Sequence, residues 1–189
     1  MYGVLMSEVV TQLSTVMAYA SAETTLDHAD TSAAVVFVDM SGYTALTEIH
    51  GDHVAAQFAE DFAVMANAAL APGDELIKTM GDAVMVASAD APAALAFVCR
   101  LGVAAGCTEG FPMLRAGVSA GMVVRRRGDI YGTTVNAAAR LAALAAPGQI
   151  VIGRDVAAAA ADLGLPLAAL GLVSIRNMFY PMELFAVDI

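Results

Sequence analysis

Positive charge is scarce in this chain of 189 residues. Nine lysines and arginines face 19 aspartates and glutamates, leaving a formal net charge of −10 at pH 7 and a pI near 4.4. Nucleic-acid and anionic-membrane surfaces need basic clusters, and the only basic run, Arg125-Arg126-Arg127, is too short to form one. An acidic chain can still bind a polyphosphate where metal ions and a few arginines neutralise it locally. Cysteine is nearly absent too. Cys99 and Cys107 lack the spacing of a disulfide or zinc framework, so two free thiols fit a reducing cytoplasm. His28, His50 and His53 show no HExxH-type spacing. No run of about 18 apolar residues escapes a charge or a proline. Arg100 interrupts 92–106, while Asp162 and Pro166 break 156–175. The N-terminus has no basic start of a secretory signal. These absences predict a soluble cytoplasmic protein with no membrane insertion and no nucleic-acid partner.

What the chain has in plenty is apolar side chain. Hydrophobic residues make up 59% and charged residues 15%, suiting one domain that buries roughly 70% of its unfolded surface. The surplus predicts a sizeable subunit interface, because exposed apolar patches are usually contact surfaces.

Residues 4–20 set Val9, Val10, Leu13, Val16 and Met17 on one helical face, and the polar stretch 21–32 reads as a linker. The expected domains are therefore this helix and linker, 1–32, and a catalytic body, 33–189. "AAVVFVDM" (33–40) has the continuous apolar character of a strand buried on both faces. A helix follows from Thr44, broken near "HGD" (50–52). "DELIKT" and "DAVMVAS" form a hairpin, and 92–106 a second helix. A long strand covers 113–126, a turn lies at Gly128-Asp129, and a threonine-capped helix spans 132–145. "GQIVIG", a helix over 154–163, and the strands "GLVSI" and "MELFAV" close the chain. This order predicts an α+β, ferredoxin-like βαββαβ sandwich with a C-terminal α/β extension. Many unrelated functions share that fold, so the site must decide.

In a β-α-β-β sheet the first and third strands are neighbours, so Asp39 and Asp82 converge at one sheet edge. Two nearby carboxylates repel and raise each other's pKa unless a cation lies between them. Hard oxygen donors suit Mg²⁺ or Mn²⁺, which use one or two protein carboxylates plus substrate phosphates. Free N–H groups after Asp39, in "MSGYT", can receive phosphate oxygens, with Gly42 permitting close approach. Singly, Asp39 also reads as a helix cap and Asp82 as a turn residue; together they favour metal. Asn136 and Arg140, at i and i+4 on an otherwise apolar helix, project from one face. A guanidinium there suits a phosphate gaining charge, and a solvated face is the competing account.

The motifs "VVFVDMSGYTAL", "ELIKTMGDAVM", "LRAGVSAG" and "GDIYGTTVNAAARL", in that order, resemble the catalytic domain of class III nucleotide cyclases. The likeness covers about 33–189 and is strongest to the compact mycobacterial-type adenylate cyclases. It implies two divalent cations, Mg²⁺ or Mn²⁺, on Asp39 and Asp82. Lys78 and Asp129 match the family's purine-reading pair, Asn136 and Arg140 its transition-state residues, and Arg115 a phosphate contact. Arg176 stands near a further basic phosphate contact, although "SIRNMFYP" departs from the usual Lys-Gly, and Tyr43 replaces a common phenylalanine. The implied reaction is ATP to 3′,5′-cyclic AMP and pyrophosphate in a head-to-tail homodimer with composite sites. Lys78 and Asp82 would then serve opposite sites and would not pair with each other. Two rivals are a regulatory homologue that binds nucleotide, which would usually have lost one of these residues, and a cyclic-dinucleotide synthase. The latter's Gly-Gly-acidic-acidic-Phe hairpin is absent, since this tip reads Met-Gly-Asp-Ala.

Overall fold

The first strand, β1 (Ala29–Met40), lies at the centre of the sheet because it carries apolar side chains on both faces. Val36 and Val38 turn to one side and Val35 to the other, all fully buried. The structure, a computed structural model, describes residues 29–176 and 178–189. The amphipathic helix expected over 4–20 lies outside the described residues, as does most of the linker. β1 begins four residues ahead of the apolar run, because the polar "ADTS" pairs with Met122–Arg125.

β2 (Glu75–Met80) and β3 (Ala83–Ser88) form the expected hairpin, with Gly81 at φ 67° in its turn. β4 (Leu114–Arg126) and the short β5 (Asp129–Tyr131) form a second hairpin, and β6 (Gln149–Gly153), β7 (Ala168–Val173) and β8 (Met182–Asp188) complete the sheet. The strand order is β2-β3-β1-β4-β6-β8-β7, with β5 pairing β4. The first four strands are antiparallel in the ferredoxin-like order, and the parallel β4–β6 pair attaches the extension. β7 starts earlier than the expected "GLVSI" and ends at Val173. It is an exposed edge strand recruited by pairing with β8, and such a strand lacks a hydrophobic alternation to announce it.

One face of the sheet is covered by α2 (Asp52–Ala68), α3 (Ala91–Gly106) and α5 (Arg154–Asp162), which bury Phe62, Leu95, Phe97, Leu101 and Val156. α1 (Tyr43–His50) precedes α2, and Gly51 at φ 84° makes the break between them. Asp74, its side chain 1% exposed, ties the α2–β2 connection to the body. It accepts from Ser88 Oγ at 2.6 Å, Ala71 N at 2.8 Å and Arg100 Nη2 at 3.0 Å. Such a buried charge is tolerable only when it is so fully bonded. None of the helices among the described residues is long and apolar enough to cross a membrane.

The other face carries α4 (Thr133–Leu144). The expected threonine cap is not made: Gly132 occupies the N-cap with no side-chain bond. Thr134 Oγ1 instead donates to Met122 O at 2.8 Å, pinning the helix to β4. α4 then runs against β4 with almost no clearance. A Cβ at Gly117 would lie 2.1 Å from Ala142 N and 2.3 Å from Ala138 O, both backbone atoms that cannot rotate away. Gly117→Ala is therefore expected to cost about 3 kcal/mol or more, read as a shifted midpoint in urea unfolding. A variant as stable as the wild type would show that α4 sits less tightly than described.

Candidate active site

Asp39 and Asp82 meet where β1 leaves the sheet. Asp39 lies opposite Ala83 in the β1–β3 ladder, and Met40 N donates to Asp82 O at 2.9 Å. Asp82's carboxyl is held above the ordinary carboxylate range, first by burial and next by the Asp39 charge and a hydrogen bond between the two side chains. A backbone hydrogen bond at Asp82 and, less strongly, the Arg115 charge pull in the opposite direction. No third acidic, histidine or cysteine side chain joins the two among the described residues. Two carboxylates with no nitrogen or sulfur donor fit a hard divalent cation that completes its shell on substrate phosphates. They do not fit a structural zinc.

Arg115 stands directly across from Asp39 in the β1–β4 register. Its Nε donates to Asp39 Oδ2 at 2.8 Å, and Nη2 reaches the same oxygen. The arginine matched to a phosphate contact thus lies against one carboxylate of the pair.

A second ion pair forms away from this edge. Lys78 Nζ bonds Asp129 Oδ2 at 2.6 Å, and Ile130 N donates to Asp129 Oδ1 at 2.8 Å. Asp129 is held below the ordinary carboxylate range, mainly by the Lys78 hydrogen bond and further by Ile130 N, the Lys78 charge and the Tyr131 hydroxyl. Burial opposes these effects. The register shift between Leu76 and Lys78 sets the lysine's place in the hairpin. Lys78 therefore takes Asp129, not Asp82. Their side chains are 39% and 26% exposed, open enough for a ligand to reach the donor and the acceptor together.

Asn136 and Arg140 are exposed on α4, and their side chains make no hydrogen bond or ion pair with described residues. At about 100° per residue they fall on the far side from Ala137, Ala138 and Leu141, which are buried against the sheet. The expected pairing on one face holds, and that face points away from the sheet. Arg176 is exposed in the β7–β8 connection, likewise without a described partner. Gly42, at φ 78°, opens α1 with no side-chain cap.

Two residues escaped the sequence reading. Tyr131 bonds Asp129, and Ser41 has a buried hydroxyl without a partner. Each lies two residues beyond a singled-out aspartate, Tyr131 within β5 and Ser41 in the turn that follows β1.

A sequence profile of the adenylate and guanylate cyclase catalytic domain matches residues 27–185. A pH-sensitive adenylate cyclase of Mycobacterium tuberculosis is 38% identical over 128 residues, 68% of this chain and 32% of that protein. An adenylate cyclase of Streptomyces griseus is 37% identical over 119 residues, 62% of this chain and 30% of that protein. The chain thus spans about a third of the length of these relatives. Among solved structures, the adenylyl cyclase CyaB of P. aeruginosa superposes with a TM-score of 0.69 at 20% identity, covering 87% of this chain and 97% of its own. An adenylate cyclase of Trypanosoma brucei gives 0.74 at 17% identity, with 82% and 89% covered. At those identities the likeness is one of fold.

Proposed function

The chain belongs to the adenylate and guanylate cyclase catalytic domain family, and on that premise we propose that it converts ATP to 3′,5′-cyclic AMP and pyrophosphate. Its sites are shared between two copies in a head-to-tail homodimer. One observation carries this reading. The carboxylate pair and the purine-reading pair are each assembled within one chain, while Asn136 and Arg140 face outward with nothing described to bond. A second copy is the simplest source of what that face lacks. The apolar surplus supports an interface there, since Met80, Met113, Met122 and Tyr131 are exposed in the strands and turns that carry site residues.

Asp39 and Asp82 of one subunit would hold two divalent cations, Mg²⁺ or Mn²⁺. Bound there, the cations would make the ribose 3′-hydroxyl more acidic and neutralise charge on the phosphates. In the reaction the 3′ oxygen forms a bond to the α-phosphorus as the bond to pyrophosphate breaks in line. Pyrophosphate keeps the electron pair, and the hydroxyl proton leaves to solvent. Arg140 of the other subunit stabilises the α-phosphoryl charge as it grows, and Asn136 orients the ribose. Arg115, the N–H groups after Gly42 and Arg176 supply phosphate contacts, for which Arg115 exchanges Asp39 for the nucleotide.

Lys78 donates to adenine N1, and Asp129 accepts from the 6-amino group. Guanine offers a carbonyl and an N–H at these positions, so Asp129 would face an acceptor. Lys78→Glu combined with Asp129→Cys is expected to raise GTP use relative to ATP by about tenfold or more. Unchanged selectivity in a kcat/KM comparison would contradict the assignment of the base-reading pair. The reading as a whole is tested by incubating the purified protein with ATP and Mn²⁺ and assaying cyclic AMP. Product absent from a folded, dimeric preparation would refute it.

A further inference from the structure

The tip of the β4–β5 hairpin carries an arginine where its backbone does not favour one. Arg126 pairs with Asp129 in the ladder, so Arg127 and Gly128 form a two-residue loop with φ 51° and 76°. Positive φ at both positions is the type I′ pattern, which favours asparagine or glycine at the first. Among the described residues Arg127 is the only non-glycine at positive φ. That backbone cost directs attention to what its side chain reaches. With Arg126, Val124 and Tyr131 it lines a cavity of about 490 Å³, so two guanidinium groups adjoin two largely apolar side chains. Arg125 is committed elsewhere, to Glu75 Oε2 at 2.5 Å. β1 enters the sheet beside this hairpin, for Ala29 stands opposite Arg125. The stretch before it, "SAETTLDH" (21–28), lies outside the described residues; it carries Glu23 and Asp27 and no lysine or arginine. Asp27 is two residues from Ala29, at most about 7 Å of backbone.

We propose that the acidic stretch 21–28 docks on this hairpin, with Asp27 paired to Arg126 and Arg127 and Leu26 entering the cavity beside Val124 and Tyr131. Charge complementarity selects that occupant. In a chain of net charge −10 the one basic run stands where an acidic segment joins the sheet. A guanidinium binds a carboxylate through paired N–H donors, and the Leu26-Asp27 neighbours match the cavity's apolar and cationic halves. The contact has a consequence for the hairpin, because Asp129 lies across from Arg126 in the same ladder. Whatever acts on the chain ahead of β1 is thereby joined to the strand that holds the Asp129 carboxylate. The docking is a property of the fold and stands apart from the cyclase reading.

The test is limited digestion of the full chain with a glutamyl endoproteinase, comparing cleavage after Glu23 with cleavage after Glu109. Glu109 is exposed in the α3–β4 connection and serves as the internal reference. The hairpin variant is Arg126→Gln with Arg127→Asn, which leaves an Asn-Gly loop suited to the turn, so the hairpin itself is retained. This variant and Asp27→Asn should each raise the Glu23-to-Glu109 cleavage ratio by about two- to fivefold, the range an exposed ion pair supplies. Combining them should raise it no further than the larger effect alone, because both remove the same contact. An unchanged ratio overturns the proposal. Cleavage at Glu109 rising in step overturns it by revealing general loosening, and effects that multiply in the combined variant overturn the pairing. A ratio that depends on protein concentration overturns it by making a second copy the source of the carboxylate.

Discussion

Asp39→Ala subunits mixed with Arg140→Ala subunits are expected to recover about a quarter of wild-type cyclic AMP synthesis, although each variant alone is inactive. The reasoning is geometric. If one subunit supplies Asp39 and Asp82 and its twin supplies Asn136 and Arg140, a mixed dimer has one site with both lesions and one with neither. Random reassortment of a two-fold dimer puts about half of the subunits in mixed pairs, and half the sites of those pairs are whole. A site built within one chain predicts no recovery at any mixing ratio. The assay therefore needs only the two variants, a demonstration by size-exclusion chromatography that both dimerise, and a cyclic AMP measurement on the mixture. Recovery absent from a verified mixed dimer would end the shared-site reading while leaving the fold and family intact.

Asp82→Asn should lower cyclic AMP synthesis by about a thousandfold or more, since a site holding catalytic cations on two carboxylates cannot spare one. The same substitution should leave the protein as stable as the wild type, or more so. Burial and the Asp39 charge raise the Asp82 pKa in the folded state. The folded chain then binds more protons than the unfolded one between the ordinary carboxylate pKa and the raised value. Stability consequently falls as pH rises through that window. The penalty is fully present above the raised pKa and absent below the ordinary one. Asparagine carries no such charge, so thermal unfolding without divalent cations should favour the variant most at neutral pH. The advantage should shrink as the solution is acidified. A variant less stable than wild type at neutral pH would mean that the pair is structural. Asp129 runs the other way. Its pKa is lowered by Lys78, so the pair's contribution is present above the ordinary carboxylate range and lost as pH falls through the folded value. The two aspartates thus leave opposite signatures in a single pH series.

Much of the fold was legible because local pattern carried it. The unbroken apolar run of 33–40 could only be a strand covered on both faces, and the break at "HGD" needed the positive φ that Gly51 adopts. Asn136 and Arg140 stood out because a packed helix leaves little room for polar pairs, and both prove exposed. Other features had no local signal. The polar "ADTS" joins β1 because β4 extends far enough to pair with it, and β7 starts at Ala168, ahead of the expected "GLVSI", because β8 pairs with those earlier residues. A threonine at the start of α4 reads equally as a cap or as a tether to β4, and only the approach of Met122 O chose between them.

The amino-acid order by itself determined the strand and helix sequence, the α+β class and the residue types able to hold cations, a purine and phosphates. Those properties follow from periodicity and side-chain chemistry, which are local. The tertiary structure alone decided that Lys78 answers Asp129 across 51 positions and that Arg115 answers Asp39 across 76. It also decided that Ser41's hydroxyl is left with nothing to bond. Each of these depends on strand register and burial, and a hydrogen bond between distant residues is specified by where the sheet brings them.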